Sequence, residues 1–394
     1  MNKIFTNIPT FTADYSGAVS VFYEMGGIHV ICDASGCHGS TLILDEPRLA
    51  AGVSKVFSVS VREKDVVMGI DKKLKKQVKE TWELLGGDYI CLVGTPAPAI
   101  IGTDLNGLGR ELEKELNIPV FSINSSGLEF YDQGQKKAYM ALTAYSQKGL
   151  KTDGPDVSVI GATPLDMWDL NQIKDCMRLL RRCGAERPAV WGSSGKLDEI
   201  AGAGYAKLNI AVSASAVDVV KEMDRLYGTP YLIGFPIGGQ QTEKWGNVVT
   251  ELLRGQEKRS GWFDGTLKPR PVRAGRRALV VGEQIASNSL RELLRQEAGY
   301  EQVDVVSYFQ MHQEMMEEGD KKLVWEQEWT DLLNEREPYE LVAADPLFLA
   351  MLPYQPRYAV ALPHIAVSSR AFWNQSPNLF GEKGTDYICG IIRK

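Results

Sequence analysis

The segment Ile28–Ser40, reading IHVICDASGCHGS, places two cysteines five residues apart where an apolar run gives way to a turn. The run is of β type and ends in Cys32, and the turn, which contains Gly36, then presents Cys37. In an open α/β sheet, cofactors bind outside the carboxyl ends of the strands, so both thiols stand at a favourable place. A small residue such as Gly36 lets an inorganic cluster approach the backbone, whose N–H groups tune its potential through the sulfurs. Two thiolates are half of the four ligands that an iron–sulfur cluster usually takes. Two copies of the chain about a two-fold axis would supply all four, because a symmetric interface repeats the same patch. The same spacing also suits a core thiol at a strand end followed by an ordinary turn thiol. Both readings are open at this level.

The other polar and sulfur residues carry weaker patterns. Cys91, in YICLVG, alternates with bulky apolar neighbours and reads as a core thiol. Cys176 and Cys183 are seven apart, share one helix face and read as packing. Cys389, in YICGII, reads as a core strand residue. His38 suits either a donor to a cluster or substrate, or a turn histidine, and Arg48, Asp104, Tyr131 and His364 are candidates for a cleft between domains. Six cysteines scattered through a chain long enough to build its own core need no disulfide framework. The expectation is a cytoplasmic protein with reduced thiols.

Several kinds of chemistry are excluded by what the sequence lacks. It contains no G-x-x-x-x-G-K-[ST], hence no P-loop for nucleotide hydrolysis, and no G-x-G-x-x-G after a strand. Its four histidines form no H-E-x-x-H, and no G-x-S-x-G elbow occurs. The formal charge of −6 without a long basic run argues against nucleic acid as a principal partner. Lys72, Lys73, Lys75, Lys76 and Lys79 read as the solvated face of a helix. No apolar run approaches the roughly 20 residues of a membrane span, and the N-terminus has no apolar core of a secretory signal.

These residues must be positioned by a scaffold, and the patterning predicts one. Twelve short apolar runs, from Ile28–Cys32 to Tyr358–Ala361, alternate with amphipathic segments such as Lys72–Leu85, Leu105–Leu116, Leu170–Cys183 and Ser287–Ala298. Such alternation implies βαβ units and parallel sheets covered on both faces. A chain of 394 residues exceeds one comfortable core. Polar Gly/Pro-bearing stretches at 148–155 and 261–277 suggest cuts into three α/β domains: 1–150 with the cysteine pair, 151–265 and 275–394.

Gly17–Cys37, GAVSVFYEMGGIHVICDASGC, resembles the segment of nitrogenase component 1 proteins in which a Gly-Ala helix leads to a strand and an H-G-x-x-G-C turn. Glu63–Leu74, EKDVVMGIDKKL, looks like the E-x-D-x-V-F-G-G-x-x-K-L stretch that follows there. Gly94–Leu105 is similar to that family's T-C-x-x-x-I-G turn. Asn209–Gly238, with Gly228, Pro230, Pro236 and Gly238, and Leu379–Ile388 resemble later motifs. The matches run in order over nearly the whole chain.

The resemblance implies three Rossmann-like domains and a cluster, of the 4Fe-4S type, bound at Cys37 and shared between subunits of a homodimer or of a heteromer with a paralogous chain. It also implies a separate P-loop iron–sulfur ATPase that delivers electrons. Cys32 takes the place of the family's histidine and stands as a possible new ligand. Departures are equally plain. Pro96 stands where the family has a second cluster cysteine, and Ala13 or Asp14 where it has the first. The stretch around Ser213 lacks the cysteine, and Phe380 replaces the histidine, that hold nitrogenase's large cofactor. No iron–molybdenum cofactor is expected. Two functions follow, a reductive enzyme component and a cluster scaffold without turnover.

Overall fold

Fourteen strands among the described residues pair in parallel into three sheets in the computed structural model, which describes residues 5–393 apart from 35, 53, 149–152, 168, 194, 257–259 and 267–273. The first contains β1 (Ile28–Asp33), β2 (Lys55–Ser60), β3 (Ile90–Val93) and β4 (Val120–Ile123), in the order β2-β1-β3-β4. The second contains β5 (Val157–Ile160), β6 (Pro188–Val190), β7 (Leu208–Ala211), β8 (Tyr231–Ile233) and β9 (Gly261–Trp262), in the order β6-β5-β7-β8-β9. The third contains β10 (Arg277–Val281), β11 (Gln302–Ser307), β12 (Lys321–Lys322), β13 (Leu341–Ala344) and β14 (Tyr358–Ala361), in the order β12-β11-β10-β13-β14. Parallel sheets flanked by helices are therefore the architecture, as the alternation of patterns implied. Parts of the stretches 148–155 and 261–277 lie outside the described residues.

The central strands are buried on both faces, β1, β3, β5, β7 and β13 along their full lengths, which is why they read as continuous apolar runs. Helices cover them with one apolar stripe each. The helix Asp71–Leu85 buries Leu74 and Val78, while Lys75 and Lys79 on its outer side pair with Glu111 and Glu115 of the neighbouring helix Leu105–Leu116. The lysine-rich stretch is thus a solvated face with local partners. Two strands go beyond the twelve expected, and one expectation needs correction. The two-residue strands β9 and β12 lie at sheet edges and are too short to leave a period in the sequence. Cys389 lies in the helix Glu382–Ile392 rather than in a strand, where Gly384, Ile388 and Cys389 form its buried side.

Strand order reverses direction between β1 and β3, between β5 and β7, and between β10 and β13. Ligands of open α/β sheets bind at such switch points, outside the carboxyl ends. One apolar core runs without interruption from the helix Asp14–Phe22 and the first sheet into the second sheet. The helix Asp14–Phe22 lies directly against the helix Tyr131–Lys148 because both are bare at the crossing: a Cβ on Gly17 would overlap the Tyr131 carbonyl, and one on Gly134 the Asp14 carbonyl.

Candidate functional site

Cys37 lies at the switch point of the first sheet, in the short helical turn Cys37–Gly39 that follows β1. The turn is fixed from below. Asp33, the last residue of β1, accepts the Ser58 hydroxyl at 2.5 Å on Oδ1 and the backbone N–H of His38 at 3.1 Å on Oδ2. The same Oδ2 lies 3.1 Å from His38 Nδ1. Burial pushes the Asp33 carboxyl up, but the hydrogen bonds from Ser58 and His38 outweigh it and hold it below the usual carboxylate range. From β3, the Thr95 hydroxyl donates to the Cys32 carbonyl at 2.5 Å, tying the two switch-point strands together. The Cys37 carbonyl accepts from Ser40 and Thr41, both at 2.9 Å.

The Cys37 thiol is half-buried, and Tyr15 and Thr95 are within hydrogen-bonding reach of it. Burial raises its pKa, and those two side chains work against the rise. On either side of it, a Cβ built on Gly36 or Gly39 would meet nothing within 4 Å, so the turn itself borders open space. The other positions at which the resemblance places cluster ligands converge on the same spot without supplying any. A Cβ on Gly127 would touch both Pro96 and Tyr15, which puts Pro96 beside the Cys37 neighbourhood. The Asp14 carboxylate is wholly buried and saturated by the N–H groups of Tyr15, Ser126 and Gly127 at 2.8–3.0 Å.

Cys32 is placed differently from the expectation of a paired donor. Its side chain is 0% exposed, in the apolar cluster with Ile28, Val30, Val59, Leu74 and Leu92, and burial pushes its thiol up to about 12. The structure therefore brings Cys37 and Gly36 to the rim and leaves Cys32 inside. Among the described residues, no group of three or more His, Cys, Asp or Glu is arranged to hold a metal. Cys37 alone supplies one of the four ligands an iron–sulfur cluster usually takes, and contact with a second copy would bring the number to two. The surroundings suit such contact. Every loop leaving the carboxyl edge of the first sheet carries an exposed aliphatic: Ile43 after β1, Val67 and Met68 after β2, Ile100 after β3 and Leu128 after β4. Exposed apolar surface of this kind marks association sites.

A second polar group forms where segments from all three sheets meet. Tyr131 begins the helix after β4, Asp166 follows β5, and His364 follows β14. The Tyr131 hydroxyl donates to Asp166 Oδ1 at 2.9 Å and lies 3.4 Å from His364 Nε2. Gln135 Nε2 donates to Asp166 Oδ2 at 2.8 Å. Burial, with the charge of Glu283 adding to it, pushes the Asp166 carboxyl well above its ordinary value, against the hydrogen bonds from Gln135 and Tyr131. Burial lowers His364 to about 4, leaving a neutral imidazole whose Nδ1 has no partner among the described residues. Of the four cleft candidates, Tyr131 and His364 are thus brought together. Arg48 is a buried strut: it pairs with Glu46 at 2.6 Å, donates to the carbonyls of Ser20 and Gly192, and covers the Tyr23 ring. Asp104 is an N-cap, accepting the Gly107 N–H at 2.8 Å. Asp166 was missed because neither acid of ATPLDMWDL belongs to a motif. Ser213 bonds Ser215 at 2.8 Å, and Phe380 packs on Phe235.

Comparison with known proteins agrees with this architecture. A family model described as nitrogenase component 1 type oxidoreductase matches residues 13–346. The nitrogenase iron-molybdenum cofactor biosynthesis protein NifE of Bradyrhizobium diazoefficiens is 28% identical over 271 residues, covering 63% of this chain and 48% of that protein. The nitrogenase molybdenum-iron protein alpha chain of Methanosarcina barkeri is 29% identical over 201 residues, covering 49% and 37%. The chain spans about half or less of the length of these relatives. A chain in the solved structure of nitrogenase Cp1 at pH 6.5 shares the fold, with a TM-score of 0.73 at 14% identity, over 100% of this chain and 93% of its own length.

Proposed function

Because the chain belongs to the nitrogenase component 1 type oxidoreductase family, we propose that it is a nitrogenase-like redox subunit that takes low-potential electrons through an iron–sulfur cluster shared between two subunits and passes them to a substrate. The observation that carries the reading is the Cys37 turn, a half-buried thiol at a sheet switch point, on the sheet edge whose connections also carry exposed aliphatics. In this reading Cys37 anchors the cluster from each chain, with Gly36 giving it room, and Cys32 stays a core thiol outside the ligand set. A bound cluster would supply storage of single electrons. Tyr15 and Thr95 would place hydrogen bonds on the anchoring sulfur, which adjust its basicity. The aliphatic collar would exclude water from the join between subunits, and the partner is a second copy or a paralogous chain.

The electron source is a separate P-loop iron–sulfur ATPase, since this chain has no P-loop of its own. The substrate site lies where the three sheets converge. There Asp166, whose carboxyl burial pushes upward, is hydrogen-bonded to Tyr131 beside His364, a group of the kind that can exchange protons as a substrate is reduced. No described helix is long and apolar enough to cross a membrane; a cytoplasmic location is part of the proposal.

Anaerobic purification with iron and acid-labile sulfide analysis tests the reading. Iron near the ratio of one cluster per two chains supports it, and a metal-free dimer or monomer refutes it. A second reading, a scaffold that carries a cluster without turnover, is favoured by the relatives described as cofactor biosynthesis proteins. Substrate-dependent oxidation of the reduced protein selects the enzyme, and transfer of intact iron to an apo-acceptor selects the scaffold.

A further inference from the structure

A cavity of about 260 Å3 lies between the second and third sheets, and neither the Cys37 turn nor the Tyr131 group lines it. That volume is just under the about 300–1,000 Å3 usual for ligand clefts, which favour such domain junctions. Ile233 at the end of β8, Trp262 in β9 and Phe263 after it form one wall. Ile285 and Ser289 of the helix Gln284–Ala298 form the other, with Met315 beside them. The walls are tied to each other. Glu314 accepts from Lys221 and, at 2.9 Å, from Trp262 Nε1, and Asn288 Nδ2 donates to the Met315 carbonyl at 3.2 Å.

The buried end of the cavity has an acceptor without a donor. Gln241 is 1% exposed and is held by its Nε2, which donates to the Ser289 carbonyl at 2.8 Å. Its Oε1 has no partner among the described residues. A Cβ built on Gly265 would come within 2.9 Å of that oxygen and 3.5 Å of Glu292 Cγ. Gln241 and Glu292 thus converge on the bare backbone of Gly265, and all three residues line the cavity. A buried acceptor left unpaired is costly, and an incoming N–H removes that cost. The charge has the matching sign. Asp264, Glu292 and Glu317 line the cavity, while Arg291, the one cation among its described lining residues, is taken up by Asp320 at 2.9–3.0 Å. Arg295 reaches Glu292 and Glu317, and Lys244 reaches Asp264, so four carboxylates face three cations.

We infer that this cavity binds a small organic cation, an ammonium-type head on an apolar body. The N–H groups of the head donate to Gln241 Oε1 and lie beside the Glu292 carboxylate, and the body packs on Ile233, Phe263 and Ile285. The site needs no metal and stands apart from the shared-cluster reading.

Isothermal titration calorimetry of the full chain with phenethylammonium, phenethyl alcohol and phenylpropionate tests this, since the three share a body and differ in the charge of the head. The cation should bind at one site about 10-fold or more tighter than the alcohol, the size of a charge-assisted hydrogen bond, and the carboxylate should not bind. Gln241→Leu should weaken the cation by about the same factor, and Glu292→Gln should remove its advantage over the alcohol. Gly265→Leu should fill the cavity and abolish binding of both. Melting curves show that each variant is folded, and Glu292→Gln, at a partly exposed position, leaves the core untouched. The inference is overturned by an absence of saturable ammonium binding, or by an alcohol that binds as tightly. Folded Glu292→Gln and Gly265→Leu chains that bind the ammonium as the wild type does overturn it equally.

Discussion

Gly17 packs bare against the backbone carbonyl of Tyr131, at a helix crossing that joins the segments carrying the two polar sites of the molecule. The helix that carries Gly17 also carries Tyr15, which reaches the Cys37 thiol. Tyr131, on the other side of the contact, reaches Asp166 and His364. Gly17→Ala would drive a methyl group into main chain, which cannot rotate away as a side chain can. The expected loss of stability is at or above the upper end of the about 1–3 kcal/mol typical of overpacking, read from the denaturant midpoint. Gly134→Ala, which meets the Asp14 carbonyl, should behave alike.

The two cysteines of the opening motif should separate cleanly on substitution. Cys37→Ala is expected to abolish iron binding with an unchanged circular dichroism spectrum, because the thiol is only half-buried and lies outside the sheet core. Cys32→Ala is expected to keep the iron and cost about 1–2 kcal/mol for the small void left in the core. Metal analysis and melting curves on both variants decide it, and iron lost from the Cys32 variant while its fold persists contradicts the assignment.

Buried acids at the three-sheet junction predict a pH dependence with a definite sign. Burial, first, and the Glu283 charge hold the folded Asp166 pKa above its unfolded value. The folded state therefore binds more protons over that interval, and stability falls as pH rises from the unfolded carboxyl pKa of about 3.9 toward the folded one. Asp45, which burial pushes up to about 6, adds to the same slope below pH 6. Asp166→Asn should thus lower the melting temperature less, or raise it more, at pH 8 than at pH 5. The network tolerates the amide, since Tyr131 can turn its hydroxyl to His364 and accept from the new N–H. Equal effects at the two pH values would show that Asp166 ionises freely.

Arg48 joins the first and second sheets through Ser20 and Gly192 while pairing with Glu46. Arg48→Met strands the Glu46 carboxylate in the interior, and the expected cost is about 3–5 kcal/mol. Converting Glu46 to Gln in the same chain should restore a good part of it. Iron content per folded chain is expected to stay unchanged in both, which native-state metal analysis checks.

Much of the scaffold could be read from residue order alone. Runs such as YICLV and IHVIC are uniformly apolar because parallel strands are covered on both faces, and that signal survives without any tertiary information. Lys321–Lys322 left no such mark, as a two-residue edge strand buries nothing. YICGII misled because its buried Ile388 and Cys389 stand among the partly buried Tyr387, Ile391 and Ile392, which over so short a span reads as a continuous apolar run. The site was half legible. Cys37 announced itself through its turn, but whether Cys32 points to the rim or the core depends on strand register, and only the paired sheet settles that. The Tyr131, Asp166 and His364 group comes from three distant segments, and one acid without a motif cannot be picked out before the chain is folded.

One open thiol per chain has an arithmetical consequence for the shared-cluster proposal. Loading would be second order in polypeptide, so dilution should empty the metal site long before it unfolds the subunits. In cells making both wild-type and Cys37→Ala chains, the loaded fraction would follow the square of the wild-type share, and a modest excess of the variant would act as a dominant poison.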